Sequence, residues 1–272
     1  MANDSDGLHA LPVMDDHLFL QALPLFSPCP GAGFAMGYQD WDLPTKRNYA
    51  LWFARHRGFR NILLLDDDIR GLGLAHLVAG TRALRDNSVA GFYIDDFPDL
   101  SVVGYARRLA GRSCPTFLSG GCLFLRLGSG LGFFPPIYND DWLFLVSYLI
   151  DGTACALGKL GQKPHDPFAS PFTARFQEFG ETIADGLYAL LVSGLYHKRL
   201  ERGQWRIILS LRRTQLADLI NGLQVRQHRS TLQKALEQSR SITEGDCVRF
   251  LQEWADAAQR WNDLLLRWVV VR

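Results

Sequence analysis

The segment Asn61-Ile-Leu-Leu-Leu-Asp-Asp-Asp68 constrains this chain more than any other. Asn61–Leu65 is a continuous apolar run of the length and type expected for a strand buried in a parallel sheet. It stops at three adjacent carboxylates, which repel one another and cannot be left buried without compensation. In open α/β sheets ligands bind beyond the carboxyl ends of strands, and the aspartates fall there. Residues i and i+2 of an extended segment point the same way, so Asp66 and Asp68 can converge on one Mg²⁺ or Mn²⁺. Such ions suit hard oxygen ligands and complete their shell with substrate phosphates. The triplet also reads as a solvated acidic turn ahead of a helix.

The flanking pattern supports an α/β frame. Lys46–Phe59 reads as a helix, and so do Leu74–Arg85 and 101–112. Val89–Ile94 reads as a strand, and strand character returns over Thr116–Leu127 around a Gly120-Gly121 break. Strands alternating with helices in this way predict a sheet covered on both faces. Upstream, Leu18–Leu25 is a strand or a helix fragment in a stretch dense in Gly and Pro.

After about residue 170 the pattern turns helical. Ser170-Pro171 is an N-cap with proline at the first helical position. Phe172, Phe176, Phe179, Ile183, Leu187 and Leu190 then mark one apolar helical face. Further helices are predicted over 205–222, 229–240 and 246–268, with Ser241 and Glu244 as a capping box before the last. The expected organisation is an α/β domain over 1–168 and a helical region over 169–272.

Composition excludes several classes. With 47% hydrophobic and 21% charged residues in 272, the chain is globular, of roughly two domains or one large α/β domain with an appendage. A net charge of +1 gives no global drive toward nucleic acid or an anionic membrane. The five cysteines, Cys29, Cys114, Cys122, Cys155 and Cys247, form neither a zinc motif nor a disulfide framework. No apolar run approaches the roughly 20 residues of a bilayer span, and the acidic N-terminus has no signal-peptide pattern. The expected setting is soluble, reducing and cytoplasmic.

Two further polar features stand out. Asp140 and Asp141, in Asn139-Asp-Asp-Trp142, offer a general base if the fold brings them to the aspartate triplet. They read equally as the cap of a helix over Trp142–Ile150. His165, in the loop Lys163-Pro-His-Asp-Pro-Phe168, is a metal ligand if a metal lies near and otherwise an ordinary loop histidine.

Four segments in order, Pro44-Thr-Lys-Arg-Asn-Tyr-Ala50, Ile62-Leu-Leu-Leu-Asp-Asp-Asp-Ile69, Phe117-Leu-Ser-Gly-Gly-Cys-Leu-Phe124 and Asn139-Asp-Asp-Trp142, resemble the nucleotide-sugar-dependent glycosyltransferases of the GT-A fold, in particular the bacterial family-two-like group. The second resembles that family's DxD motif. The resemblance covers roughly 44–185 and implies a GT-A-like (Rossmann-like) mixed, mostly parallel sheet flanked by helices, with a helical C-terminal extension. It implies that Asp66 and Asp68 hold Mn²⁺ or Mg²⁺ on the donor diphosphate, with His165 as a further ligand. Asp67, Gly120 and Gly121 would border the donor, the glycines leaving room for a sugar, and Lys46 and Arg47 would offset phosphate charge. Asp141 would deprotonate the acceptor hydroxyl, assisted by Asp140, and the implied transfer inverts the anomeric centre. The nucleobase-gripping unit of the family is shortened here, since residues 1–43 contain no complete βαβ unit.

Two other functions compete. A non-catalytic nucleotide-binding or assembly protein on a degraded transferase scaffold fits the shortened N-terminus. A haloacid-dehalogenase-type phosphatase also uses an aliphatic strand ending in Asp-x-Asp, but it wants Thr or Val where Arg70 stands. Trp254, Trp261 and Trp268, with Phe250 and Leu265, form one helical stripe that serves as core packing or as a homodimer seam. Asp95, Asp96 and Asp99 border an acceptor cleft or form a solvated loop. His76 and His197 read as surface or satisfied interior residues, and Cys122 reads as a small packed hydrophobe. Gln177, Glu178 and Glu181 either face the active site or are ordinary polar positions of an amphipathic helix.

Overall fold

A computed structural model describes residues 42–94, 101–113, 118–128, 130–194 and 200–267. Leu18–Leu25, Cys29, Asp95, Asp96, Asp99, Cys114, Thr116, Phe117, His197 and Trp268 lie outside the described residues.

The first described helix, α1 (Asp42–His56), carries Pro44 in its first turn and ends in Arg55 and His56, where cations suit the helix dipole. Strand β1 (Asn61–Leu65) follows, then the short β2 (Ile69–Arg70), α2 (Leu74–Ala83) and β3 (Val89–Ile94). Next come α3 (Val102–Leu109), β4 (Cys122–Arg126), α4 (Asp140–Ile150) and β5 (Ala154–Gln162). Four helices close the chain, α5 (Pro171–Val192), α6 (Arg202–Gly222), α7 (Arg226–Ser241) and α8 (Glu244–Arg267).

The sheet is mixed, in the order β1-β4-β3-β5-β2. β1, β3 and β5 run one way; β4 lies between β1 and β3 and opposes both, and β2 opposes β5. Only β3 and β5 pair in parallel, so the expected mostly parallel sheet is corrected. The physical reason is the insertion of β4 between two co-directional strands, which makes both of its pairings antiparallel. One consequence organises everything functional. The carboxyl ends of β1, β3 and β5 and the entry into β4 share one edge of the sheet.

Side chains alternate across the sheet. Leu123 and Leu125 of β4 join Leu64 and Val89 on the face covered by α1, α4 and α8. Cys122 and Phe124 join Ala90, Phe92 and Leu160 on the other face, beside Ala83 and Leu84 at the end of α2. Trp261 of α8 is fully buried, 5.7 Å from the ring of Phe133, and Ala257 and Leu265 enter the same core. The tryptophan stripe, as far as it is described, is therefore core packing within the chain. A second cluster joins α4 to α5, α6 and α8 through Trp142, Phe179, Trp205 and Phe250. The regions 1–168 and 169–272 thus share hydrophobic cores.

Two caps repay comparison with the sequence. Ser170 accepts from the Phe172 N–H, with Pro171 opening α5 as predicted. The box at the start of α8 is displaced. Thr243 Oγ1 accepts from the Asp246 N–H, and Asp246 Oδ2 accepts from the Thr243 N–H at 2.9 Å. Ser241 instead donates to the Gln238 carbonyl at the end of α7.

Candidate functional site at the carboxyl edge of the sheet

Four separate segments meet at the shared edge around the Arg47 guanidinium. Arg47 projects from α1 and is only 7% exposed. Its Nη1 donates to Asp140 Oδ2 at 2.9 Å, and Nη2 lies 3.6 Å from Asp66 Oδ2. The guanidinium also stands over the Phe134 ring, 5.5 Å from its centroid. Its neighbour Asn48 ties the helix to the same loop, exchanging two hydrogen bonds with the Phe134 backbone at 2.8 and 2.9 Å.

β1 delivers Asp66 by continuing its ladder for one more residue, the Asp66 N–H donating to the Gly121 carbonyl at 2.9 Å. Asp141 is held from two sides, accepting from the Gly120 N–H and from its neighbour Trp142 N–H, both at 2.8 Å. It is half-buried, whereas Asp140 is buried. Asn139, just before them, is the only non-glycine among the described residues with positive φ (65°). It occupies the N-cap position of α4 without capping it; its amide donates to Glu181 Oε1 at 3.1 Å.

Asp68 faces the adjacent loop. Its Oδ2 accepts from Gln162 Nε2 at 2.8 Å, and its carbonyl accepts from the Lys163 N–H. Its other oxygen, Oδ1, is buried with no hydrogen-bond partner. Asp67 is exposed, with its carbonyl 3.4 Å from Lys163 Nζ.

The electrostatics follow from crowding. Burial pushes the Asp140 carboxyl up to about 7 even though Arg47 pulls it down. Asp66 is also raised, by burial first and then by Asp68, Asp141 and Asp67 against the pull of Arg47. Burial opposes the charge on Arg47, but Asp140, Asp141 and Asp66 outweigh it and hold its pKa above the ordinary value. A single buried cation faces a group of carboxylates, so the edge carries excess negative charge.

A testable pH dependence comes from Asp140. A carboxyl raised from 3.8 to about 7 in the folded chain contributes stability that is present below 3.8 and lost as pH rises through about 7. Asp140→Asn, which does not titrate, should therefore gain on wild type in thermal unfolding midpoint between about pH 4 and pH 7. The difference should level off above pH 8. A difference that moves the other way contradicts the assignment.

Several sequence expectations change at this point. The glycines were expected to leave room for a sugar, but that room holds the site's own side chains. A Cβ on Gly120 would strike the Asp141 carboxylate and come within 2.9 Å of Arg47 Nη2. One on Gly121 would lie 2.9 Å from Ile69 Cδ1 and 3.3 Å from Asp66 Oδ2. Gly120→Ala should cost about 1–3 kcal/mol, the range for overpacking a filled site, whereas Gly128→Ala, with open space around it, should cost little from crowding. Chemical denaturation of the two variants makes the comparison.

Arg47 directs its charge at carboxylates inside the chain. Lys46 is exposed and, with Arg47 and Asp66, borders a cavity of about 480 Å³ along β1. His165 is exposed in the loop after β5.

Among the described residues no three His, Cys, Asp or Glu side chains are arranged to hold a metal ion. The chain offers instead two carboxylates, Asp66 beside Arg47 and Asp68 with an orphaned buried oxygen. That donor set fits a hard divalent ion, which binds through one or two carboxylates and fills its shell with water and phosphate oxygens.

Sequence reasoning missed Gln162, which orients Asp68, and the buried network behind Asn139. There Arg212 of α6 pairs with Glu178 at 2.8 and 3.0 Å, with Glu181 at 3.2 Å and with Asp185 at 3.0 Å. Nothing in the spacing of Gln162 marks it. An arginine and three carboxylates on helices otherwise rich in apolar positions were a readable, unused signal. No protein-family model matches the chain, and no curated protein is similar to it.

Proposed function

We propose that this chain is a nucleotide-sugar-dependent glycosyltransferase of the GT-A type, moving a sugar from a nucleoside-diphosphate donor to an acceptor hydroxyl with inversion. One observation carries this reading. The four segments of the resemblance, from residue 47 to residue 141, converge by direct contact at the carboxyl edge of the sheet.

In this reading Asp66 and Asp68 hold a Mg²⁺ or Mn²⁺ ion, which stabilises negative charge on the departing diphosphate. Asp141 takes the proton of the acceptor hydroxyl. It is the more exposed of the acidic pair, and its two backbone donors fix the carboxylate's orientation without rotating parts. Asp140 is a positioning residue, locked by Arg47 behind the site. Arg47 balances Asp66 and Asp140, so that the acidic edge can be assembled before substrate arrives. Gln162 fixes the rotamer of Asp68 and leaves Oδ1 for the ion.

The direct test is release of nucleoside diphosphate from UDP-, GDP-, CDP- and dTDP-sugars in the presence of Mn²⁺. Release from one donor class, lost in Asp68→Asn, supports the transferase. Metal-dependent binding of a donor without any release supports the competing non-catalytic protein on the same scaffold.

A further inference from the structure

At the opposite end of β1 and α1 lies a cavity of about 610 Å³, within the size range of small-molecule sites. It is separated from the acidic edge by the length of β1, roughly 17 Å at about 3.3 Å per residue. Its lining has a consistent chemistry. Among the described residues Arg55, His56, Arg60 and Arg126 contribute every titratable group, and no carboxylate lines it.

The three arginines differ from Arg47 and Arg212, the two buried arginines among the described residues. Arg47 and Arg212 are each surrounded by carboxylates. Arg55, Arg60 and Arg126 have no ion-pair partner among the described residues. Arg55 Nη1 donates to the Leu127 carbonyl at 2.7 Å, while its Nε is buried with no hydrogen-bond partner. Arg126 reaches only backbone carbonyls and Ser88 Oγ, at 3.3–3.5 Å. Arginines that converge on a concave site without an ion-pair partner among the described residues focus a positive potential there, and guanidinium groups match planar anions by paired donors.

The same cavity has an aromatic wall. Trp52 and His56 stack with ring centroids 5.4 Å apart and planes 6° from parallel, and Phe59 is 56% exposed beside them. An exposed large ring next to Arg60 and Arg126 suits a ligand with a flat apolar body and an anionic group.

We infer that this cavity is a second binding site, for a small aromatic or similarly flat apolar molecule bearing a carboxylate, sulfonate or phosphate. The inference does not depend on the transferase reading, because its arginines lie apart from the aspartates, although Phe59 and Asn61 also line the cavity along β1.

The test uses two fluorescent probes with the same rings, the anionic 8-anilinonaphthalene-1-sulfonate and the neutral N-phenyl-1-naphthylamine, titrated into the folded full chain. The sulfonate is expected to bind saturably at one site per chain. Arg60→Gln/Arg126→Gln should weaken it at least tenfold while changing the neutral probe less than twofold. Because Arg126 also bonds backbone carbonyls, Arg60→Glu serves as a second variant on an exposed, unpaired side chain, with an expected loss of at least fivefold. Asp66→Asn should leave the sulfonate affinity unchanged. Absence of saturable binding, or equal sulfonate affinity in wild type and both arginine variants, overturns the inference.

Discussion

Arg212→Met is expected to lower unfolding stability by about 3–5 kcal/mol, the range for removing one partner of a buried ion pair. Arg212 is 2% exposed and Glu178 is fully buried. Three carboxylates, Glu178 foremost, hold the Arg212 pKa well above its ordinary value against the opposing effect of burial. Without the guanidinium, Glu178 is left in an apolar interior with Glu181 and Asp185 nearby, and it must take up a proton or admit water. Arg212→Lys keeps a charge but loses the two-pronged contact with Glu178, so it should fall between wild type and Met. Urea denaturation distinguishes the three. The effect should reach the site, because Glu181 also accepts from Asn139, which holds the strained turn before Asp140 and Asp141. A Met variant as stable as wild type contradicts the network's role.

The second large effect concerns turnover. Asp141→Asn should reduce kcat by roughly 10²–10⁴, the usual contribution of a positioned general base, with donor affinity changed less than about twofold. The substitution keeps the shape of the side chain but only one accepting oxygen, so it holds either the Gly120 or the Trp142 N–H and sets an amide NH2 against the other. An unfolding midpoint measured alongside kcat therefore separates a chemical loss from a disturbed turn. Asp140→Asn should behave differently, because Asp140 meets Arg47 behind the site. Nucleoside diphosphate release under saturating donor measures both. Full activity in Asp141→Asn removes the residue from its proposed role.

The parts of the fold that were legible were those in which local pattern and tertiary environment agree. β1 and β3 fall where the apolar runs Asn61–Leu65 and Val89–Ile94 predict them, but only β3 is interior. β1 is an edge strand paired antiparallel to β4, with Leu64 buried and Leu65 exposed, which corrects its reading as a strand buried in a parallel sheet. β5 escaped detection because Ala154–Gln162 has no clean alternation and contains Gly158 at φ 125° and Lys159. It becomes a strand by pairing with β3, with a register shift between Gly91 and Tyr93. Partnership rather than propensity makes that element.

The site shows the same division. The aspartates were visible because an acidic triplet after an aliphatic strand needs an explanation. What they touch was not visible, since Arg47 lies 93 residues from Asp140 and Gln162 lies 94 from Asp68. Gly120 illustrates the limit well. Its lack of a side chain was read as room for a sugar, and only the folded chain shows that Asp141 stands in that room. The polar positions of α5 were likewise placed on a helix without the knowledge that α6 would bury Arg212 against them.

The central claim is that the acidic edge holds a divalent ion for a nucleoside diphosphate, and isothermal titration tests it most directly. UDP, GDP, CDP and dTDP are each titrated into the chain with and without Mn²⁺, and again into Asp66→Asn and Asp68→Asn. The account predicts that one nucleotide binds with a dependence on Mn²⁺ that both substitutions abolish. Binding that is indifferent to Mn²⁺ and to both substitutions, or no binding of any of the four, contradicts it.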